Sequence, residues 1–336
     1  MQATDNCAIL IDGYSQIFRV FYAIAHLSRQ DGFPTNALFG FARLLLQLEK
    51  DYAPESGAMF LDCGKPQFRL DLLPEYKSNR PPMPEDLKKQ MPLLRELAEL
   101  FGWTLCECSN YEADDLIGAA VKSQPRRKFA IISSDKDLSQ LINENTFMLI
   151  PRRTGSGFEV RSIAETIAKF SVTPEQTVDY LAMLGDNSDA IDGVPGVGPK
   201  TAAAVLEQCG SLAQFFQSPE LIGNVKLREK LLQYRDLLER NIKLITLRSV
   251  WPADELVPVE KMLEKRPPDW EKIAGFAQEY ELKSILRELP DFCGVLTEKS
   301  VDAPVEKPMA DDLFSWGAAQ PVPEKNPEKP EQGVLF

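Results

Sequence analysis

The sequence predicts an α/β domain on a mainly parallel sheet, followed by a helical subdomain. Three observations carry this expectation: apolar runs alternate with amphipathic stretches over the first 150 residues, the strand signal fades from about Ser171, and the apolar runs end in acids. The runs at residues 7–11, 58–61, 104–106, 129–132 and 147–150 are short and apolar, as strands buried on both faces are. Between them, residues 37–48, 85–101 and 113–121 place apolar side chains at helical spacing. Alternation of this kind builds parallel sheets. Helical periodicity then runs through 175–184, 200–208, 227–247 and 270–289. The expected units are an α/β core over 1–170 and a helical subdomain over 171–293. From Pro304 to Pro330, six prolines lie among charges without a periodic apolar pattern, which predicts a disordered, acidic tail over 294–336.

Of the 336 residues, 44% are hydrophobic and 26% charged, and no apolar run approaches the roughly 18 residues of a membrane span. The opening MQATDNCAILID lacks the basic stretch and cleavage site of a secretory leader, so a cytoplasmic protein with reduced cysteines is expected. Cys106 and Cys108 alternate in a strand-like run, and no cysteine pairs stand at zinc-finger spacing. The single histidine, His26, rules out a His-rich zinc site and leaves any Ser-His-Asp triad resting on one residue. Catalysis must lean on carboxylates and lysines.

A net charge of -12 argues at first against a nucleic-acid partner. Its distribution reverses that inference. Residues 294–336 hold eight acids and four bases, leaving -8 for the body, and without the nine acids discussed next the body would stand at +1. Bound cations would neutralise much of that cluster.

Open parallel sheets bind ligands beyond the carboxyl ends of their strands. Here the residues following the apolar runs are acids: Ile11-Asp12-Gly13, Leu61-Asp62, Glu112-Ala113-Asp114-Asp115 after the third run, and Ser134-Asp135-Lys136-Asp137 after the fourth. Any one of them could be a helix cap. Capping does not explain four strand ends on one edge, each with uncompensated acid. Carboxylates are the hard oxygen ligands that Mg²⁺ and Mn²⁺ prefer, so two-metal phosphodiester hydrolysis is the natural reading. A later segment, Gly185-Asp186-Asn187-Ser188-Asp189, offers two further acids.

These motifs, with Tyr76-Lys77-Ser78-Asn79-Arg80-Pro81-Pro82-Met83-Pro84 and the stretch from Gly185-Asp186 through Lys200-Thr201, resemble the bacterial 5′→3′ exonuclease and flap endonuclease family, which includes the N-terminal nuclease domain of DNA polymerase I. The resemblance spans about residues 6–292. It implies a PIN-like sheet, a helical arch near 69–100 and a helix-three-turn-helix near 185–208. It also implies a metal site of Asp12, Asp62, Glu112, Asp114, Asp115, Asp135, Asp137, Asp186 and Asp189. One departure falls within the site: the family's Ser-Asp-Asn-Ile-Pro-Gly is here Ser188-Asp189-Ala190-Ile191-Asp192-Gly193. Losing the amide and the proline puts the support of Asp189 in question.

By resemblance, Lys77 and Arg80 reach the scissile phosphate, where cations stabilise developing charge; the plainer alternative is a solvated turn before the helix at Glu85. Tyr76 either stacks on a terminal base or packs beneath the arch. Arg19 either lies near the phosphate or forms a surface ion pair. The turn from Gly193 to Lys200, with Gly196 and Gly198, points backbone N–H groups outward and would grip duplex phosphate, with K⁺ as an accompanying ion. Lys226, Arg228 and Lys230 either extend that track or form a charged helix face.

The terminal Gln332-Gly333-Val334-Leu335-Phe336 resembles sliding-clamp binding peptides, with Gln332, Leu335 and Phe336 as contacts; deleting it should remove clamp affinity. The expected protein is a monomeric, structure-specific 5′→3′ exonuclease or flap endonuclease of replication and repair. It would act on DNA 5′ ends and flaps, with RNA primers a further substrate class. The alternatives are a non-catalytic, clamp-recruited adaptor and a PIN-type RNA endonuclease. An aspartyl phosphatase is excluded, because Asp12-Gly13-Tyr14 lacks the second acid it needs.

Overall fold

A computed structural model describes residues 7–152 and 156–291. Its centre is a six-stranded sheet: β1 (Ala8–Asp12), β2 (Gly57–Phe60), β3 (Thr104–Cys106), β4 (Phe129–Ile132), β5 (Thr146–Pro151) and β6 (Phe158–Arg161). The order is β3-β2-β1-β4-β5-β6, parallel except for the last pair. The chain builds outward from β1 on one side, then crosses to β4 on the other. That reversal opens a crevice between the carboxyl ends of β1 and β4, where Asp12 and Ser133 stand.

The five expected strands are present because their side chains enter apolar layers on both faces of the sheet. Alternate residues serve opposite layers: Ile9, Ile11, Met59, Leu61, Ala130 and Ile132 join one core, while Ala8, Leu10, Ala58, Phe60, Phe129 and Ile131 join the other. The sequence reading missed β6. It is an antiparallel edge strand whose Glu159 and Val160 are exposed, so no apolar run marks it.

On the first face lie α1 (Gly13–Ala23), α2 (Asn36–Tyr52) and, after the short α3 (Gln67–Leu72), α4 (Glu85–Leu100). Gln90 of α4 is fully buried, accepting the Ala37 and Leu38 N–H groups at 3.0 and 3.1 Å and so capping α2. Helix α5 (Ala113–Ser123) covers the second face. Within 69–100, the acids are reached by Arg69 of α3 and by the non-helical segment 73–84, whereas α4 is packed into the core.

The helical unit has its own core, built from α6 (Ile163–Phe170), α7 (Thr177–Leu184), α8 (Pro199–Cys209), α9 (Leu212–Gln217), α10 (Val225–Gln233) and α11 (Arg235–Ile245), with Leu73 and Tyr76 contributed from segment 73–84. A small antiparallel hairpin, β7 (Gly185–Asp186) and β8 (Ile191–Asp192), projects from it. The stretch 227–247, read as one helix, breaks at Tyr234 into α10 and α11. The chain then returns through α12 (Val259–Met262) to α13 (Trp270–Glu279) and α14 (Lys283–Glu288). These last two are separated by Glu281 in the left-handed conformation, with the Leu282 N–H closing on Ala277 O at 2.8 Å. Helix α13 packs on α4 and α14 on α2, so the helical unit is shorter than 171–293 and the chain's last described helices belong to the α/β core. Among the described residues no helix is long and apolar enough to cross a membrane. The tail, with Gln332, Leu335 and Phe336, lies outside the described residues.

Candidate active site and metal centre

Asp12 caps α1, accepting the Ser15 N–H at 3.4 Å and the Ser133 hydroxyl at 2.7 Å. Its carboxyl is pushed up to about 7, by burial first and then by the charges of Asp62 and Asp135, against the Ser133 hydrogen bond. Asp62 accepts the Ala113 N–H at 2.7 Å, tying the end of β2 to the start of α5. Asp135 accepts the Asp137 N–H at 2.9 Å. Asp137 is raised well above the ordinary carboxylate range by lost hydration and by neighbouring Asp135, Asp186 and Asp189.

The start of α5 divides its three acids between two fates. Asp115 is fully buried and held from both sides by Arg69, with its Oδ1 at 2.9 Å from Nη2 and its Oδ2 at 2.5 Å from Nη1; Oδ1 also accepts the Arg248 N–H at 3.2 Å. Both oxygens are spent on protein. Such a buried pair leaves a costly orphan when one partner is removed, about 3–5 kcal/mol. The family resemblance placed Asp115 among the ligands; here its oxygens meet Arg69, which it fixes beneath Glu112. Asp114 faces no such partner, and burial followed by Asp115 and Glu112 raises its carboxyl well above its usual range. Glu112 accepts Arg69 Nη1 at 2.7 Å, the Tyr76 hydroxyl at 3.0 Å and the Lys77 ammonium.

Tyr76 is therefore committed inward. Its ring belongs to the core of the helical unit and its hydroxyl supports Glu112, so the structure favours packing over base stacking. Lys77 adopts a left-handed backbone, φ 55°, and its charge persists because Glu112 and Asp114 outweigh the cost of burial. Segment 73–84 is docked on the hairpin: the Lys77 N–H reaches Asp189 O at 3.0 Å, Asn79 Nδ2 reaches Asn187 O at 2.9 Å, and Arg80 places Nε and Nη2 at 3.0 and 2.6 Å from Asp189 Oδ1.

The hairpin brings Asp186 and Asp189 to this assembly. Asp186 accepts the Ser188 N–H and hydroxyl at 2.8 and 2.6 Å and pairs with Lys136 at 2.9 Å; these outweigh burial and hold its carboxyl low. Ala190 occupies the left-handed region, φ 58°, which costs a residue with a Cβ roughly 1–2 kcal/mol and which asparagine tolerates better. This is the physical content of the Ala190 departure. The turn is nonetheless held from behind, by buried Asn241 donating to Ala182 O at 2.9 Å and Asp192 O at 2.7 Å. Gly185 and Gly193 let the backbones meet: a Cβ on Gly193 would lie 2.2 Å from Leu184 O.

Arg19 is engaged with backbone, donating to Pro151 O and to Arg152 O, the latter at 3.2 Å. Gly196 is left-handed, and Lys230 of α10 donates to Pro195 O at 3.1 Å, bracing the glycine turn ahead of α8. Sequence reasoning missed Arg69, Lys136, Ser133 and Asn241. Only Lys136 and Ser133 carried a signal, since both lie in the motif after β4.

The donor set suits hard divalent cations. Oxygens of Glu112, Asp114 and Asp115 lie within 4.8 Å of one another, and burial followed by the charge of neighbouring carboxylates raises Asp12, Asp114, Asp135 and Asp137.

Residues 7–171 match the family described as 5′-3′ exonuclease, N-terminal resolvase-like domain, and residues 172–269 its C-terminal SAM fold. This chain belongs to the 5′-3′ exonuclease family. A 5′-3′ exonuclease of Aquifex aeolicus is 35% identical over 294 residues, 87% of this chain and 98% of that protein. DNA polymerase I of Bacillus subtilis is 37% identical over 248 residues, 73% of this chain but 28% of the polymerase, so the chain spans under a third of that relative. The fold is shared with the zinc-bound 5′-exonuclease of bacteriophage T5, at TM-score 0.60 and 22% identity, covering 84% of this chain and 98% of that one. It is shared too with the DNA-bound catalytic core of Rad2, at TM-score 0.57 and 15% identity over 85% and 93% of the chains. The mainly parallel sheet with a SAM-like helical unit, expected from the sequence, is thus the family's architecture, and nuclease chemistry is the family's activity.

Proposed function

We propose that this protein hydrolyses DNA phosphodiesters near 5′ ends and flaps, leaving a 5′-phosphate and a 3′-hydroxyl, as a cytoplasmic monomer in replication and repair. One observation carries the reading: acids from four strand ends and a hairpin converge on one crevice, where cations of segment 73–84 already lie against them. Asp12, Asp62, Glu112, Asp114, Asp135, Asp137, Asp186 and Asp189 would hold two divalent ions, Mg²⁺ or Mn²⁺. When bound, these ions supply an activated water and neutralise charge on the phosphate. Lys77 and Arg80, released from Glu112 and Asp189, would turn to the phosphoryl oxygens. Asp115 and Tyr76 hold Arg69 and Glu112 in place while this exchange occurs.

Duplex DNA would lie along the turn from Gly193 to Lys200. A Cβ on Gly198 would meet nothing within 4 Å and its φ is -98°, so the fold itself does not require glycine there. Close approach by a phosphate backbone gives it a reason, with the N–H groups at the start of α8 as donors and K⁺ as companion ion. RNA primers and a sliding clamp, docked through Gln332, Leu335 and Phe336, complete the proposed partners.

The test is cleavage of flapped DNA against single-stranded RNA in Mg²⁺. Flapped DNA should be cut and RNA left largely intact, and Asp135→Ala should lower turnover at least about 100-fold while DNA binding survives. Turnover retained by that variant would overturn the site assignment.

A further inference from the structure

Among the described residues, four side-chain cations are held against the nine acids. Arg69 is buried with Asp115, and Lys77 and Arg80 have a phosphate to meet; Lys136 has neither role. It stands between Asp135 and Asp137 on the loop after β4, yet its ammonium passes both and crosses to the hairpin, 2.9 Å from Asp186 Oδ2. Asp186 Oδ1 is occupied by Ser188, so Lys136 holds the one oxygen of Asp186 left for a ligand. The pair is also half-open, with 39% of the Lys136 side chain and 23% of that of Asp186 exposed, against 2% and 0% for Arg69 and Asp115. An open pair of this kind is weak, about 0–1 kcal/mol, and a divalent ion can displace it.

We propose that Lys136 is a placeholder for the second metal, positioning Asp186 in the metal-free protein and competing with the incoming ion for Oδ2. The inference rests on the reading that the acids hold two divalent ions. Lys136 thereby makes the second site the weaker of the two and keeps the hairpin docked until metal arrives. Once displaced, its ammonium lies free at the mouth of the site.

The test is Mn²⁺ binding by calorimetry and by electron paramagnetic resonance, on the full-length protein without DNA. The wild type should take two Mn²⁺ with unequal affinities. Lys136→Met should tighten the weaker one roughly three- to tenfold, while Lys136→Arg, which keeps a cation on Asp186, should stay within about twofold of wild type. If Lys136→Met leaves the weaker affinity unchanged, or lowers it, the placeholder role is wrong and Lys136 is only a strut for the hairpin. If the wild type takes no Mn²⁺, the two-metal reading fails first and this inference with it.

Discussion

Asp12 ends the central strand with its carboxylate between two serine donors and in the field of two further acids. Its pKa is about 7 in the folded protein against 3.8 for the free group. Between those values the folded chain holds a proton that the unfolded chain has lost, so this group's contribution to stability falls as pH rises through the window. The loss is complete above the folded value and amounts to something on the order of 4 kcal/mol at most. In EDTA, Asp12→Asn should therefore gain roughly 2–3 kcal/mol relative to wild type between pH 5 and pH 8, read from urea unfolding at each pH. Parallel stability curves for the two proteins would place Asp12 outside the crowded field described above. Asp12 was legible in the sequence because a strand end followed by glycine leaves an acid little choice of position. The contact of Asp115 with Arg69 was not legible, because a motif fixes which acids gather, not which of them meets a buried arginine 46 residues away.

At the scale of elements, the hairpin of β7 and β8 is the part of the site with least support from its own sequence. Its left-handed corner is an alanine, and it has no core of its own. Its position is set by α11, whose Asn241 bonds one carbonyl on α7 and one on β8. Asn241→Ala removes the donor from both carbonyls, one buried and one part-buried, a cost of about 2–3 kcal/mol. It should also weaken Mn²⁺ binding at the site shared by Asp186 and Asp189, with the first site unaffected; calorimetry alongside urea unfolding separates the two effects. A variant with wild-type stability and two wild-type Mn²⁺ affinities would remove Asn241 from the support of the site. None of this could be read from the sequence, where 227–247 forms one unbroken periodic stretch. The break at Tyr234 that aims α11 carries neither glycine nor proline to announce it. The buried strands were legible for the opposite reason, since burial on both faces writes itself as an apolar run.

Across the whole molecule, charge is segregated by task. With every group ionised, the nine acids and the four cations held against them, Arg69, Lys77, Arg80 and Lys136, leave the crevice at a net -5. The exposed Lys200 and Lys230 and the half-exposed Arg228 sit instead around the glycine turn and α10. A DNA backbone laid along the turn must bring its scissile phosphate up to that negative crevice, so without divalent ions the two ends of the binding surface work against each other. Two divalent charges nearly cancel the crevice, whereas monovalent salt only screens it and screens the basic turn equally. Divalent and monovalent salt should therefore act in opposite directions on DNA affinity. At matched ionic strength, Ca²⁺, a hard oxygen-seeking cation, should raise affinity for flapped DNA by roughly tenfold or more over EDTA with NaCl, read by fluorescence anisotropy. The gain should shrink for duplex DNA without a 5′ flap, which can lie on the turn without entering the crevice. Equal affinities in Ca²⁺ and in EDTA for the flapped substrate would mean that bound DNA never faces the acids.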